Sequence, residues 1–228
     1  MKQGICHLSQ IPVRTEPKSS SEMCTQLLYG ETYSILKQEG DWYYIKLDFD
    51  GYEGWISDSS IYETKPRLQS VQTKLFSSGG NDILHDGMVL TSMGSVLAEE
   101  QPSLELNLNE LAKSFLGVPY LWGGRHFSGI DCSGLMQVVY KCVGIQIPRD
   151  ASQQQQIGKP VKFENLFDGD LIFFDKNEKI GHVGMYIGNN QIIHSHGYVR
   201  IDELTRKGIK NSNTGLFTHS YHSAKRLR

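Results

Sequence analysis

Short runs of aromatic and β-branched residues, broken by turn signals, fill the first sixty or so positions. Thr32-Tyr33-Ser34-Ile35-Leu36 and Trp42-Tyr43-Tyr44-Ile45-Lys46-Leu47 suit strands, with Gln38-Glu39-Gly40-Asp41 as the turn between them. Asp50-Gly51 marks a second tight turn before Tyr52-Glu53-Gly54-Trp55-Ile56. Strands punctuated this often predict a small β-barrel over residues 1–62.

After Pro102 the hydrophobic period changes. Leu106, Leu108, Leu111, Phe115 and Leu116 approximate a helical stripe that Gly117 and Pro119 stop. Leu135, Val138, Val139 and Cys142 recur at spacings of three and four, which predicts an amphipathic helix from Cys132 that ends at Gly144. Strands follow: Asp170-Leu171-Ile172-Phe173-Phe174, then residues 182–187 and 191–195. Helices first and an antiparallel meander second make residues 103–228 an α+β domain. In between, residues 63–102 carry a loop-like Ser77-Ser78-Gly79-Gly80-Asn81-Asp82. Met88-Val89-Leu90-Thr91 and Ser95-Val96-Leu97 read as extra strands attached to the first lobe. No internal repeat is evident.

A chain of 228 residues with 39% hydrophobic content can bury one large core or two small ones. A net charge of -2 gives no electrostatic footprint for nucleic acid. The basic end with Lys225, Arg226 and Arg228 reads as a solvated tail. No apolar run approaches about 20 residues, so no helical membrane span is expected. Met1-Lys2-Gln3-Gly4-Ile5-Cys6-His7 lacks the apolar core of a secretory signal. With Met1 taken as the natural start, a cytoplasmic monomer is the expectation. Cysteines at 6, 24, 132 and 142 form no Cys-x-x-Cys pair. Cys132 and Cys142, ten positions apart on one helix, sit roughly 15 Å from each other, too far for a disulfide, which fits reduced thiols.

The candidate chemistry centres on Cys132. Asp131 stands just before the helix and can cap it, placing Cys132 in the first turn, where unpaired N–H groups and the dipole favour a thiolate. The same N–H groups can hold the oxyanion formed when a thiolate attacks a carbonyl, and Gly134 keeps the approach open. Two histidines lie downstream, in Gly181-His182-Val183-Gly184 and Ile193-His194. If Gly188-Asn189-Asn190 forms a three-residue loop, Ile187 pairs with Gln191 and His194 faces Gly184. His182 then lies diagonally from His194 on the same face, within reach of a ring-to-ring hydrogen bond. Gly184 leaves space for the second ring, and Asn190 tolerates the left-handed conformation the loop needs. A two-residue loop would put the rings on opposite faces. In the first register His182 is the base and His194 its orienting partner.

Each residue alone has a plainer reading: Cys132 as a small buried apolar side chain, the histidines as core or surface groups. His196 shares the parity of His194, whereas His7, His85, His126, His219 and His222 lack a supporting context. Cys132, His182, His194 and His196 are zinc-ligand types, but no close Cys/His pairs accompany them, so no metal or other cofactor is expected.

The motifs Tyr120-Leu121-Trp122-Gly123-Gly124, Asp131-Cys132-Ser133-Gly134, Pro148-Arg149-Asp150, Gly169-Asp170-Leu171, Gly181-His182-Val183-Gly184 and Ile193-His194 occur in the order seen in NlpC-type cysteine peptidases. Residues 103–228 resemble these papain-like enzymes, which act on bacterial cell-wall peptides. Leu28-Tyr29-Gly30-Glu31, Gly40-Asp41-Trp42 and Gly54-Trp55-Ile56 resemble bacterial SH3-like domains. The combination looks like the γ-D-glutamyl-L-diamino acid endopeptidases, which cut between D-glutamate and meso-diaminopimelate or lysine in muropeptides with a free amino-terminal L-alanine. By that resemblance Cys132 is the nucleophile, His182 the base and His194 the third member. Tyr120 sits beside the thiolate and oxyanion site, and Trp122 lines the cleft. Asp131, Ser133 and Asp150 match positions that hold the L-alanine end, and Glu31 and Tyr52 are candidate contacts from the first lobe. For Glu31 and Tyr52 the alternative is barrel surface, and for Asp150 a helix cap. Ala151 stands where a hydroxyl residue is common in close relatives, so one substrate hydrogen bond is missing or comes from Ser152. A free ammonium group suits carboxylates with a hydroxyl or aromatic face, and a cleft closed by a second lobe restricts the enzyme to released fragments. The competing classes are a cysteine-dependent amidase or acyltransferase on another acyl group, and a non-catalytic module that binds wall peptide.

Overall fold

The computed structural model describes residues 2–61, 70–71, 81–84, 87–90, 92–97, 106–176 and 179–228. The first lobe is an antiparallel sheet of β1 (Lys2–Ile5), β2 (Gln10–Arg14), β3 (Met23–Leu28), β4 (Thr32–Glu39), β5 (Trp42–Leu47) and β6 (Glu53–Ser57), in the order β1-β4-β5-β6-β2-β3. Alternation decides what is inside: Ile11 and Val13 of β2 and Ile45 and Leu47 of β5 are buried, while Pro12 and Lys46 between them are exposed. With Cys6, Leu27, Tyr33 and Ile56 they form the core of this lobe.

Four short strands follow. β7 (Ser70–Val71) pairs with β10 (Val96–Leu97), and β8 (Asn81–Leu84) with β9 (Gly87–Leu90), as two separate ribbons. The strands expected here exist, but among the described residues they pair only with one another; the Val96 N–H reaches the Tyr29 carbonyl at 2.8 Å as a tether to the first lobe. Residues 62–69, 72–80, 85–86 and 98–105, and Thr91, lie outside the described residues.

In the second lobe Asn107 caps α1 (Leu108–Lys113), and Gly117 (φ +85°) turns the chain back. β11 (Arg125–His126) and β12 (Gly129–Ile130) lead to α2 (Cys132–Cys142), which Gly144 (φ +77°) ends. The one-turn α3 (Ala151–Gln154) follows. The large sheet contains β13 (Lys159–Val161), β14 (Leu171–Lys176), β15 (Lys179–Tyr186), β16 (Gln191–His196), β17 (Tyr198–Thr205), β18 (Gly208–Lys210) and β19 (Phe217–Arg226), in the order β13-β19-β14-β15-β16-β17-β18. Because β18 also pairs with β19, the strands from β14 to β19 close on themselves instead of forming an open meander. That closure gives the lobe two cores. Phe173, Val183, Met185 and Ile193 face α2, and Ile172, Phe174, Ile192, Leu204, Ile209 and Ala224 fill the other side. Burial on both faces explains the unbroken apolar run of β14.

The basic carboxyl end is not a solvated tail. It forms β19, bonded to β13, β14 and β18, and Arg226 makes two 2.7 Å contacts to the buried Asp170. The lobes are fastened by buried polar contacts. The Arg125 N–H donates to Gln26 Oε1 (2.7 Å), Arg149 Nε to Thr25 Oγ1 (2.9 Å) and Gln137 Nε2 to Asp50 Oδ2 (2.8 Å). Burial without partners would cost each of these groups about 1–3 kcal/mol, so the two lobes are specified as one unit.

Candidate active site

Asp131 builds the turn that presents Cys132. Its Oδ1 accepts from the Gly134 N–H (2.7 Å), the Ser133 hydroxyl (3.2 Å) and Arg149 Nη1 (3.0 Å), and its Oδ2 from the Gly123 N–H (2.8 Å) and Arg149 Nη2 (2.5 Å). The first bond caps α2, and the Gly123 bond ties the preceding turn to it. Gly134 serves this packing and not an open approach: a Cβ there would lie 2.2 Å from the Gly124 carbonyl oxygen. Cys132 sits buried at the start of α2. Burial and the Asp131 carboxylate push its thiol up to about 12, opposed by the N–H groups of Val183 and Ser133 and by Arg149. Val183 directly follows His182, so the sulfur lies against the strand that carries the base.

The hairpin of β15 and β16 has the expected longer loop. The Ile187 N–H bonds the Gln191 carbonyl, Met185 pairs with Ile193, and Gly188, Asn189 and Asn190 all have positive φ. His194 therefore lies across from Gly184, where an added Cβ would meet its Cβ at 2.9 Å. His182 Nε2 and His194 Nδ1 are 2.8 Å apart with the rings nearly perpendicular. His182 is buried, and burial together with the neighbouring rings of His194, His219 and His196 holds its pKa well below the usual histidine value. Burial lowers His194 as well, with Asp202 acting against it.

Two residues at this centre escape the motif reading. His194 Nε2 contacts Asp202 Oδ2 at 3.1 Å, and Asp202 Oδ1 accepts from Arg200 Nη2 (2.9 Å) and the Ser212 N–H (2.8 Å). His219 of β19 stacks on His182 with ring centres 4.1 Å apart. The hairpin parity points to Asp202: Ile192 pairs with Asp202 and His194 with Arg200 on one face.

The remaining expected residues divide between the cleft and the framework. Tyr120 lies beside Cys132 and Asp131; burial first, then both neighbours, push its hydroxyl above the usual tyrosine range. Its N–H bonds the Gly197 carbonyl at 2.9 Å, which fixes it beside the β16–β17 turn. Trp122 is 61% exposed, and its indole N–H reaches Glu22 of the first lobe at 2.6 Å. Tyr52 and Asp150 meet across the lobes, hydroxyl to carboxylate, at 3.3 Å. They border an open pocket of about 460 Å³ with Thr15, Cys24, Tyr44, Glu53 and Gln153, a lining that does not include Cys132 or His182. Ser152 is exposed on α3 and Ala151 opens that helix.

Three expected substrate contacts are hydrogen-bonded within the protein. Asp131 is 5% exposed, and both its oxygens accept from protein donors. The Ser133 hydroxyl donates to Asp131 and accepts from Arg149 Nη1 (2.9 Å). Glu31 is buried away from the cleft. Its Oε1 accepts from Arg125 Nη2 (2.9 Å) and Lys141 Nζ (2.5 Å), and its Oε2 from Arg125 Nη1 (2.9 Å) and the Leu28 N–H (2.8 Å). The carboxylates lining the pocket are Asp150 and Glu53, the residue next to Tyr52. Among the described residues no group of three or more histidine, cysteine or acidic side chains is arranged to hold a metal ion.

Residues 117–224 match the NlpC/P60 family, and residues 13–61 match the bacterial dipeptidyl-peptidase Sh3 domain. The chain is 30% identical to the gamma-D-glutamyl-L-lysine dipeptidyl-peptidase of Bacillus subtilis (strain 168), over 75% of this chain and 71% of that protein. To the enzyme of the same name from Bacillus cereus it is 27% identical, over 91% of this chain and 76% of the other. In structure it is similar to an NlpC/P60 family protein from Bacillus cereus, with a TM-score of 0.77, 22% identity and coverage of 98% and 99% of the two chains. The likeness supports the two-lobe fold, an SH3-like lobe followed by a papain-like α+β lobe.

Proposed function

The chain belongs to the NlpC/P60 family of cysteine peptidases that hydrolyse peptidoglycan peptides, and from that premise we propose that it cuts the γ-D-glutamyl–L-diamino acid bond of muropeptides whose L-alanine amine is free. The observation that carries this reading is the pairing of Tyr52 with Asp150 at 3.3 Å, in a pocket that also holds Glu53. A carboxylate backed by a hydroxyl and a second carboxylate favours an ammonium group.

In this reading Cys132 gives its proton to His182 and attacks the γ-carbonyl carbon of D-glutamate, forming a tetrahedral oxyanion. Amide N–H groups at the start of α2 accept that charge, with the Tyr120 hydroxyl beside them. The Gly134 N–H is not among these donors, because it is committed to Asp131. Collapse expels the amine of the diamino acid, which takes the proton from His182. Water, deprotonated by His182, then hydrolyses the thioester and releases L-Ala-γ-D-Glu. His194 orients His182 throughout, and Trp122 lines the cleft. Turnover of fragments already released from the wall is the role that suits a substrate recognised by its free amine.

The test is mass spectrometry of L-Ala-γ-D-Glu-meso-diaminopimelate, and of its L-lysine counterpart, incubated with the wild type and with Cys132→Ala. Release of L-Ala-γ-D-Glu by the wild type alone supports bond, nucleophile and substrate together. No release from either peptide overturns the reading and directs attention to another acyl group.

A further inference from the structure

We propose that Asp202 is a positioning residue that selects which nitrogen of His182 is free to take the Cys132 proton. The proposal rests on the peptidase reading for its consequence in turnover, but the selection itself is a property of the substrate-free protein.

Asp202, His194 and His182 form one row of donors and acceptors. An ionised carboxylate only accepts. Burial alone would raise the Asp202 carboxyl, but hydrogen bonds from His194, the Ser212 N–H and Arg200 outweigh it and hold it well below the usual carboxylate range. The 3.1 Å contact of Asp202 Oδ2 with His194 Nε2 therefore has the ring as donor, so neutral His194 carries its proton on Nε2. Its Nδ1 is then an acceptor, and the 2.8 Å bond to His182 must be donated by His182 Nε2–H. Neutral His182 is left with a lone pair on Nδ1. Reversing any link reverses all of them, because each imidazole has one donor and one acceptor. Asp202, two hydrogen bonds from the base, sets the polarity of the row.

Asp202 is held in a way that makes the substitution Asp202→Asn informative. Its Oδ1 accepts from both Arg200 Nη2 (2.9 Å) and the Ser212 N–H (2.8 Å). An asparagine oxygen stays with those two donors, since the other orientation would set an NH₂ group against both. The amide nitrogen then faces His194 Nε2 and donates to it. His194 shifts its proton to Nδ1, His182 Nε2 becomes the acceptor, and His182 carries its proton on Nδ1, where a base needs a lone pair. Shape and packing are kept; only the hydrogen-bond polarity changes.

The experiment combines ¹⁵N NMR of the histidine side chains with steady-state kinetics on the muropeptide, using the full chain as wild type and as Asp202→Asn. We expect Nε2–H on His182 and His194 in the wild type and Nδ1–H on both in the variant. We expect kcat to fall about 10²- to 10⁴-fold with KM unchanged, the range for loss of a general base. A wild-type His182 protonated on Nδ1, an unchanged tautomer in the variant, or a reversed tautomer with undiminished kcat each overturns the proposal. Arg200→Gln serves as a second variant: it removes one donor from Oδ1, leaves the carboxylate facing His194, and keeps the wild-type tautomers. If the wild type cleaves no muropeptide, the substrate reading fails, while the NMR comparison still decides the role of Asp202.

Discussion

The hydroxyl of Tyr52 in the first lobe meets the carboxylate of Asp150 in the second at 3.3 Å, joining residues 98 positions apart across the seam of the lobes. An ammonium group seated there would add its charge to a carboxylate that burial raises above its ordinary pKa. Losing one partner of such a pair costs about 2 kcal/mol or more. Asp150→Asn should therefore lower kcat/KM on the free-amine peptide by roughly 30-fold or more, mostly through KM. Tyr52→Phe, which removes one hydrogen bond, should cost about tenfold. Acetylating the amine should depress the wild type and leave Asp150→Asn with little further to lose. Equal turnover of acetylated and free peptides by the wild type would rule out recognition of the amine.

Gly184 is the space in which the second imidazole sits. A Cβ there would come within 2.9 Å of His194 Cβ and 2.8 Å of Ile192 Cδ1. Gly184→Ala should destabilise the protein by about 1–3 kcal/mol, the usual cost of overpacking, and lower kcat by moving His194 off His182. Thermal unfolding beside kcat measures both. A variant with wild-type stability and kcat would mean the hairpin gives way at no cost.

The sequence exposes this hairpin because its information is local. Loop length and parity are sufficient to place His194 opposite Gly184, and the turn residues Gly188-Asn189-Asn190 adopt the positive φ that the three-residue loop requires. Asp202 was hidden for the opposite reason. A carboxylate interrupts the apolar alternation of β17, and it is tolerated only because His194 and Ser212 from outside the strand, with Arg200 of the strand itself, satisfy it. β19 was missed in a similar way: His219, Ser220, Tyr221, His222 and Ser223 carry no apolar signal, and the strand is held by neighbours on both sides. Glu31 and Asp131 show the limit of residue type as evidence. A carboxylate suited to bind an ammonium group is equally suited to bind a buried arginine, and only the fold shows which cation it faces.

Glu31 joins the lobes through Arg125 and Lys141, with the Phe49 ring against both cations. Burial alone would raise its carboxyl, but the two cations outweigh that and hold it at about 2. The folded value lies below the unfolded one, so the contribution is complete above about pH 4.5 and is lost as pH falls toward 2. Breaking a buried pair from one side costs about 3–5 kcal/mol. Glu31→Gln should lower the denaturant midpoint at pH 7, with the gap from wild type narrowing below pH 4.5. At a temperature where the variant is folded, its KM should match the wild type. A raised KM with unchanged stability would instead make Glu31 a substrate contact.

Burial holds both His182 and His194 below the usual histidine pKa, so at neutral pH each is uncharged in the fold. The unfolded chain takes up these protons near pH 6.5, before the folded protein does. Stability from this source is therefore full above about 6.5 and declines as pH falls below it, by up to about 1.4 kcal/mol per pH unit for each ring. The same depression sets the acid limb of kcat/KM, which should lie below 6.5 because the free base stays deprotonated there. The groups facing His182 are His194 and His196 from β16, His219 from β19, Phe174 from β14 and the Cys132 segment of α2. Of these, His219 stacks on the ring and opposes its protonation. His219→Gln should therefore move the acid limb upward without altering KM, whereas His222→Gln should leave it in place. A pH profile of kcat/KM from 4.5 to 8 for the three proteins makes the comparison. An acid limb at or above 6.5 in the wild type, or one that ignores His219, would show that this stack does not tune the base.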